Sequence, residues 1–174
     1  MREQPAAMRV FLVGFMGAGK SSTGRALARR LGALFVDLDA RVEASLQASI
    51  PEIFARLGEA AFRAEEQRQL RLCGRFPAVV VATGGGTFAH EPSRELIARL
   101  GISVFLDTPW GEVVRRLPGK REERPLFTTA EQAFALYQSR LPQYRLADVT
   151  VRASTDEDAE ALAGRIALIL EGLR

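Results

Sequence analysis

Apolar and polar residues follow two patterns along the chain, one typical of strands and one typical of helices. Short runs of apolar, mostly β-branched or aromatic residues predict five strands, at residues 10–13, 34–36, 78–82, 102–106 and 149–151. Between these runs Leu, Ala and Ile recur every three or four residues, a spacing typical of helices buried on one face. These segments are residues 21–31, 40–46, 50–57, 60–72, 92–100 and 156–173.

This alternation predicts the fold class. Neighbouring parallel strands need crossover connections, which are right-handed and usually helical. The chain is therefore expected to form an α/β fold with a mostly parallel five-stranded sheet and helices on both faces. Its 174 residues suit one domain, 1–174, in which residues 1–8 are interpreted as a flexible N-terminal extension.

One segment interrupts these patterns. Residues 117–129, LPGKREERPLFTT, contain two prolines, one glycine and five charged residues without apolar periodicity. Such a composition is typical of an exposed loop, and we interpret this segment as a mobile loop.

Composition narrows the class of partner. The net charge is only +3, from 24 basic and 21 acidic residues. A nucleic-acid partner is therefore not expected, whereas an anionic small molecule is the expected kind of ligand. No apolar run approaches the roughly twenty residues of a membrane span, so no membrane partner is expected. Cys73 is the only cysteine, which excludes an internal disulfide, and the start has no secretory pattern. A cytoplasmic location is expected.

The sequence GFMGAGKSS, residues 14–22, predicts a phosphate-binding loop. It matches GxxxxGK[ST] between a predicted strand and a predicted helix, the context that such a loop requires. Its glycines let backbone amides surround a phosphate, Lys20 reaches the β- and γ-phosphates of ATP, and the Ser21 hydroxyl ligates Mg²⁺. The expected ATP-binding residues here are Gly17, Ala18, Gly19, Lys20, Ser21 and Ser22.

The loop alone does not distinguish a kinase from a GTPase or an ATPase. A GTPase needs a guanine-reading NKxD-like segment, and the sequence contains none. A motor-type ATPase usually has an acidic residue at the end of a long apolar strand. In this sequence only Asp107, after residues 104–106, has a similar position. We interpret Asp107 as a cap of the helix that begins after Thr108 and Pro109.

Asp37 and Asp39 follow the second predicted strand. Two residues apart in an extended segment, they are expected to point the same way, at the edge of the sheet where ligands bind. Asp37 is predicted to hold Mg²⁺ through water, and Asp39 to accept the proton of an attacking hydroxyl. The alternative for Asp39 is that it caps the helix 40–46.

Three further features suggest an acceptor site. Gly84, Gly85 and Gly86 end the most hydrophobic strand, where missing side chains let a ligand approach the backbone. Arg63, beside Phe62, is by itself better explained as a solvated helix charge than as a ligand. Arg140, in the segment SRLPQY, lies in a helix expected to end near Pro142.

Taken together, these segments resemble the shikimate kinase family. The resemblance runs over residues 9–151 through GFMGAGKSSTGRALARRLG, FVDLDARVE, SIPEIFARLGEAAFRAEE, ATGGGT, RPLF and RLPQY. It implies a three-layer P-loop kinase with strand order 2-3-1-4-5, a monomer, and a lid formed by residues 117–129. It also implies transfer of the ATP γ-phosphate to the 3-hydroxyl of shikimate with Mg²⁺, in chorismate and aromatic amino acid biosynthesis.

The resemblance also implies residue roles. Asp39 binds the shikimate hydroxyls and is the candidate base, and Arg63 and Arg140 pair with the carboxylate. Gly85 donates its backbone amide to shikimate, and Arg124 reaches the ATP phosphates from the lid. Planar guanidinium groups suit a carboxylate, which agrees with these roles. One departure is that Gln47 or Ala48 stands where the family often has a glycine.

Two other functions remain open. A kinase of the same architecture would phosphorylate another small hydroxy acid such as gluconate, but two arginines and an aspartate fit a rigid cyclic acid better. A non-catalytic module that senses ATP or an acid would not need Lys20, Ser21, Asp39 and Arg124 together.

Overall fold

The computed structural model describes residues 8–116 and 129–173. In these residues five strands alternate with helices, and each strand begins and ends within two residues of its predicted run. In chain order the elements are β1 (Met8–Val13), α1 (Lys20–Leu31), β2 (Leu34–Asp37), α2 (Leu38–Leu46), α3 (Ile50–Cys73), β3 (Ala78–Ala82), α4 (Glu91–Leu100), β4 (Ile102–Asp107), α5 (Trp110–Arg116), α6 (Ala130–Tyr144), β5 (Val149–Arg152) and α7 (Ala159–Glu171).

The strands form one parallel sheet in the order β2-β3-β1-β4-β5. This confirms both the α/β class predicted from the alternation and the strand order implied by the resemblance. Because the chain leaves central β1 towards β2 on one side and later crosses to β4 on the other, a crevice opens beside the carboxyl end of β1. The phosphate loop and the glycine triplet both follow strands at this edge.

Alternate residues of β1 face two separate cores. Phe11 and Val13 belong to a cluster that includes residues of α3, α4 and α6, whereas Val10 and Leu12 belong to one that includes residues of α1 and α7. A sheet covered on both faces needs apolar residues at every position, which explains why the predicted strands are continuous apolar runs. Cys73 lies buried in the first cluster at the end of α3.

Two predicted helix boundaries lie close to the site. Residues 50–57 and 60–72 are helical as predicted, and they meet within α3 at a kink: Gly58 has φ 82° and ψ 170°, a non-helical conformation that is essentially limited to glycine. Helix α6 ends at Tyr144, two residues after Pro142, which agrees with the predicted end near the proline. Tyr144 therefore lies one turn after Arg140.

Some predictions concern residues outside the described ranges. These are residues 1–7 of the N-terminal extension, residues 117–128 of the predicted lid, and Arg124 within it. Thr129, the last residue of the predicted lid, caps α6 by accepting a hydrogen bond from the Gln132 amide. Among the helices of residues 8–116 and 129–173, none combines the length and apolarity needed to cross a membrane.

Candidate active site

The loop between β1 and α1 follows its predicted course. Gly14, Gly17 and Gly19 have φ values of 143°, 77° and 90°, which side chains disfavour. At Gly14 a Cβ would lie 3.0 Å from the backbone oxygen of Leu106, so the loop passes too close to β4 for a side chain. Gly19 precedes α1 and offers no side chain to cap it, which leaves the first N–H groups of the helix available to an anion.

Lys20 and Ser21 open helix α1 and point to different partners. Lys20 is 9% exposed, and its ammonium donates to the carbonyl oxygens of Gly14 and Phe15, each at 2.7 Å, so it lies inside the curve of the loop. The Ser21 hydroxyl donates to Asp37 Oδ2 at 2.8 Å. The first turn of α1 therefore connects the loop to the end of β2.

The loop backbone is supported by side chains from later elements. The Thr108 hydroxyl donates to the Ala18 carbonyl at 3.1 Å, and Arg116 Nη1 donates to the Gly17 carbonyl at 3.3 Å. Ser22 is exposed, and its hydroxyl donates to the Gly19 carbonyl at 3.1 Å. Three successive carbonyls of the loop therefore accept side-chain hydrogen bonds, which stabilises the course of the loop backbone.

Asp37 and Asp39 both line a cavity beside the phosphate loop, as predicted, but they do not lie in one extended segment. The backbone leaves the strand conformation after Asp37 and α2 begins at Leu38, so Asp39 lies in the first turn of a helix and not in an extended segment. The alternative that Asp39 caps this helix is wrong, because Asp37 is the cap: its Oδ1 accepts from the Ala40 amide at 3.3 Å. The carboxylate of Asp39 lies next to Gly84.

The glycine triplet after β3 is where the acceptor-side groups meet. A Cβ at Gly84 would lie 2.6 Å from Asp39 Oδ1. At Gly85 it would lie 3.5 Å from Arg140 Nη1, and at Gly86 2.5 Å from Arg63 Nη2 and 3.3 Å from Arg140 Nη2. One carboxylate and two guanidinium groups thus occupy the space that side chains would fill.

Arg63 is not the solvated helix charge that its sequence context favoured. Its side chain is 13% exposed, and Nη1 donates to Glu66 Oε1 at 3.1 Å and Oε2 at 2.9 Å. Its guanidinium also lies 5.1 Å from the centre of the Phe62 ring and 3.4 Å from Glu59. This bonding leaves Nη2 directed at Gly86.

Sequence reasoning assigned no role to Glu66. Its side chain is 1% exposed, and besides Arg63 it accepts from the Thr87 hydroxyl at 2.6 Å and the Ser93 hydroxyl at 3.5 Å. A buried carboxylate needs such partners because desolvation of an unpaired charge is costly. Its position three residues after Arg63, on the same helix face, was the available signal.

Arg140 has a buried nitrogen that lacks a partner. In the part of the chain that the structure describes, Nη1 is fully buried and makes no hydrogen bond. An unmet donor of this kind costs about 1–3 kcal/mol, and more when it carries charge. The nitrogen lies beside Gly85, so an anion bound there would satisfy it.

Tyr144 is a second residue that sequence reasoning missed. Its side chain is fully buried, its ring packs 5.3 Å from the Phe105 ring, and its hydroxyl donates to the carbonyl of Gly85. The bond joins residues 59 positions apart. Helix α6 thus contacts the glycine triplet through two side chains, Arg140 and Tyr144.

An aromatic cluster packs against the loop. Trp110, the first residue of α5, and Tyr137 of α6 both pack against Phe15, with ring centres 6.3 and 5.4 Å away. The Tyr137 hydroxyl donates to the Thr108 carbonyl at 3.3 Å. Burial raises the pKa of the Tyr137 phenol, and the negative charge of Asp107 raises it further, so the hydroxyl remains a donor at neutral pH.

One cavity of about 790 Å³ joins the loop to the acceptor-side groups. Most of the site residues predicted in residues 8–116 and 129–173 line it: Gly17, Gly19, Lys20, Ser21, Ser22, Asp37, Asp39, Arg63, Gly84, Gly85, Gly86 and Arg140. Ala18 lines a second cavity of about 360 Å³, which shares Gly17, Gly19 and Ser22 with the first. The second cavity also reaches Arg116 and Asp158, which sequence reasoning did not single out.

Oxygen donors suited to Mg²⁺ lie beside the loop. Ser21 and Asp37 provide a hydroxyl and a carboxylate in contact with each other. Residues 8–116 and 129–173 contain no group of three or more His, Cys, Asp or Glu side chains that would form a complete metal cage. Proteins usually hold Mg²⁺ through one or two side chains together with phosphate oxygens and water, and Ser21 and Asp37 could supply those side chains.

Three comparisons give the same family. The family model for shikimate kinase matches residues 16–171. The shikimate kinase of Ruegeria pomeroyi is 41% identical over 90% of this chain and 82% of the relative, and that of Paramagnetospirillum magneticum is 44% identical over 94% and 83%. The solved shikimate kinase of Acinetobacter baumannii, in complex with shikimate, is 34% identical with a TM-score of 0.90 over 98% of this chain and 96% of the other.

Proposed function

The chain belongs to the shikimate kinase family and is an ATP-dependent kinase, and we propose that its cavity transfers the γ-phosphate of ATP to the 3-hydroxyl of shikimate. One observation carries the proposal. The guanidinium groups of Arg63 and Arg140 converge on Gly86, and the Asp39 carboxylate lies against Gly84 of the same triplet. These groups line the same cavity as Lys20 and Ser21. That arrangement offers a place for an acid next to a place for a phosphate.

The carboxylate of shikimate binds between Arg63 and Arg140. Two planar guanidinium groups can each donate paired hydrogen bonds to a carboxylate, which makes the contact both strong and directional. The unmet Nη1 of Arg140 supports this role, because a bound carboxylate would remove its desolvation penalty. The glycine triplet, and above all the Gly85 amide, receives the ring and its hydroxyls at close range.

Asp39 accepts the proton of the attacking hydroxyl. Its carboxylate lies beside Gly84, in the cavity that Arg63, Arg140 and the phosphate loop also line. Lys20, Ser22 and the backbone of Gly17, Ala18 and Gly19 hold the triphosphate. Phosphoryl transfer depends mainly on such positioning and on charge neutralisation, because little covalent chemistry falls to the protein.

Ser21 and Asp37 would hold Mg²⁺, Ser21 directly and Asp37 through water. When bound, the ion neutralises charge on the phosphate oxygens. The rest of the nucleotide extends into the 360 Å³ cavity beside Arg116, since this cavity borders the loop through Gly17 and Gly19. Arg124, outside the described residues, remains a predicted phosphate contact.

A monomer is proposed as the working unit, because the resemblance to the family implies one. Light scattering at assay concentrations tests this, and a dimer mass would contradict it. A cytoplasmic location is proposed on the grounds given by the sequence, and fractionation of cells that express the protein tests it.

ADP release by the purified protein tests the function directly. The protein is offered ATP and Mg²⁺ with shikimate, quinate, gluconate or no acceptor. Turnover is expected with shikimate and only slow background release without an acceptor, because the paired arginines and Asp39 suit a rigid cyclic hydroxy acid.

The other outcomes separate the remaining candidates. Turnover with gluconate but not shikimate would replace the proposed acceptor by an open-chain acid. ATP binding without turnover on any acceptor would favour a sensing module.

A further inference from the structure

Helix α6 contacts the glycine triplet at two points. Arg140 and Tyr144 lie four residues apart, one turn of the helix, and therefore project from the same face. Arg140 brings charge to Gly85 and Gly86, whereas Tyr144 brings a neutral hydroxyl to the Gly85 carbonyl. The first contact belongs to the acid site already described, and the second has no role in it.

The Tyr144 hydrogen bond fixes a whole peptide unit. Because a peptide is planar, the direction of the Gly85 carbonyl determines the opposite direction of the Gly86 N–H. Gly85 and Gly86 lack side chains that would restrict their backbone, and they are the middle residues of a turn closed by the Thr87 N–H to the Gly84 carbonyl at 3.2 Å. This turn bond does not involve the peptide between Gly85 and Gly86, so the Tyr144 bond adds a direct restraint on its plane. Tyr144 is well suited to do so, since it is fully buried and its ring is packed against Phe105.

The peptide that Tyr144 holds lies between both halves of the cavity. A Cβ at Gly85 would lie 3.4 Å from the Met16 amide nitrogen in the phosphate loop and 3.5 Å from Arg140 Nη1. Gly86 lies against Arg63 and Arg140. A rotation of this peptide would therefore move backbone that lies against both guanidinium groups and would change the position in which they hold a carboxylate.

We propose that Tyr144 is a positioning residue for the acid site: its hydroxyl orients the Gly85–Gly86 peptide relative to Arg140 and Arg63. The inference rests on the proposed function, because it assumes that this peptide and these arginines bind the acid acceptor. Tyr144 itself does not touch the acceptor and acts through the glycine backbone.

Tyr144→Phe tests the role, because it removes the hydroxyl and keeps the ring against Phe105. We expect the KM for shikimate to rise about tenfold, with kcat within about threefold of wild type and the KM for ATP unchanged, since a neutral buried hydrogen bond is lost on the acid side only. Urea denaturation measures the accompanying loss of stability.

Tyr137→Phe is the matched control. It removes another hydroxyl of α6 that donates to a backbone carbonyl, that of Thr108, away from the triplet. Its KM for shikimate is expected to match wild type. An unchanged KM for shikimate in Tyr144→Phe, with lowered stability alone, would overturn the positioning role. Absence of shikimate turnover in the wild type would instead refute the proposed function.

A second measurement does not depend on the variant folding. Tyr137 and Tyr144 are the only tyrosines of the chain, so protein grown with 3-fluorotyrosine gives two ¹⁹F signals, assigned with Tyr137→Phe. Saturation with shikimate should move the Tyr144 signal. A Tyr144 signal that stays in place at saturation, verified by calorimetry, would contradict the proposal.

Discussion

The phosphate side and the acid side of the cavity are built in opposite ways. The proposed phosphate side is one continuous segment, residues 14–22, with three glycines at positive φ and an uncapped helix start. The proposed acid side takes Asp39 from α2, Arg63 from α3, the triplet after β3 and Arg140 from α6. A phosphate can be held by the backbone and side chains of one segment, whereas recognition of one acid requires side chains brought together by tertiary packing.

The two sides also differ in what supports them. Behind the phosphate loop the supports are hydrogen bonds to loop carbonyls, such as those from Thr108 and Arg116. Behind the acid side lies a buried polar network in which Glu66 holds Arg63 and is itself held by Thr87. A buried network of this kind loses much when one member is removed, because its partners stay desolvated.

The largest expected effect comes from Asp39→Asn. Loss of the base should lower kcat by roughly 10²–10⁴-fold while the dissociation constant of ATP stays close to wild type. Asp37→Asn, two residues away, is the contrasting variant: it weakens the contact with Ser21 and should mainly raise the KM for Mg-ATP. Steady-state kinetics and calorimetry measure both. Comparable kinetic defects in the two variants would remove the distinction between the sides.

Gly86→Ala should impair the acid side and not the phosphate side, because it adds a methyl group without changing any charge. The added methyl would lie 2.5 Å from Arg63 Nη2 and displace it, so the KM for shikimate should rise about tenfold or more, equivalent to about 1.4 kcal/mol, with an unchanged KM for ATP. Gly164→Ala in α7 is the control, since its methyl would make only ordinary contacts with Arg30, beginning at 3.7 Å. A normal KM for shikimate in Gly86→Ala would show that the acid binds elsewhere.

Glu66→Gln should have a smaller kinetic effect, because an amide still fills the space but no longer carries the charge that pairs with Arg63. We expect the KM for shikimate to rise a few-fold and the free energy of unfolding to fall by about 1–3 kcal/mol. Glu112→Gln is the counterpart on the phosphate side, where Glu112 pairs with Arg115 and Arg116. Glu112→Gln should raise the KM for ATP and leave the KM for shikimate unchanged. A raised KM for shikimate with an unchanged KM for ATP would contradict the division of the cavity into a phosphate side and an acid side.

Gln47→Gly should have the smallest effect. Gln47 ends α2 with φ 50°, the only positive φ of a non-glycine residue in residues 8–116 and 129–173. Glycine relieves this strain but gains entropy when unfolded, so stability should rise by about 1 kcal/mol at most, with kinetics unchanged on both sides. Chemical denaturation measures the change, and a clear destabilisation would show that the Gln47 side chain contributes contacts of its own.

Much of the fold follows from local pattern. The five strands appear in the sequence as apolar runs because the sheet is covered on both faces. The phosphate loop could be predicted because the residues that define it are contiguous. Boundaries near the site were less predictable. The chain turns from β2 into α2 immediately after Asp37, so Asp39 reaches the cavity from a helix, where strand alternation gives no guidance. By contrast, the break between the two predicted helices 50–57 and 60–72 was predicted from the sequence, and the structure places the non-helical Gly58 there.

On the acid side Asp39 and the glycine triplet were predicted from the residues themselves, but the two arginines were predictable only through the resemblance to a family. Arg63 and Arg140 are 77 positions apart, and local sequence favoured a solvated charge for the first and gave no indication for the second. Their support was missed because it depends on burial and long-range contact: Glu66 bonds to Thr87, 21 residues away, and Tyr144 to Gly85, 59 residues away. Such pairs become visible only when the sheet and α6 are placed together.

The buried Nη1 of Arg140 also sets a rule for inhibitor chemistry. A compound that replaces the carboxylate of the acceptor by a neutral group of the same shape would leave this nitrogen unmet beside the guanidinium of Arg63, whose own charge is paired with Glu66. Sites built around a polar partner reject analogues that lack it far more strongly than sites built on apolar fit. Competitive inhibitors of this enzyme should therefore keep an anionic head group and gain potency from changes at the ring.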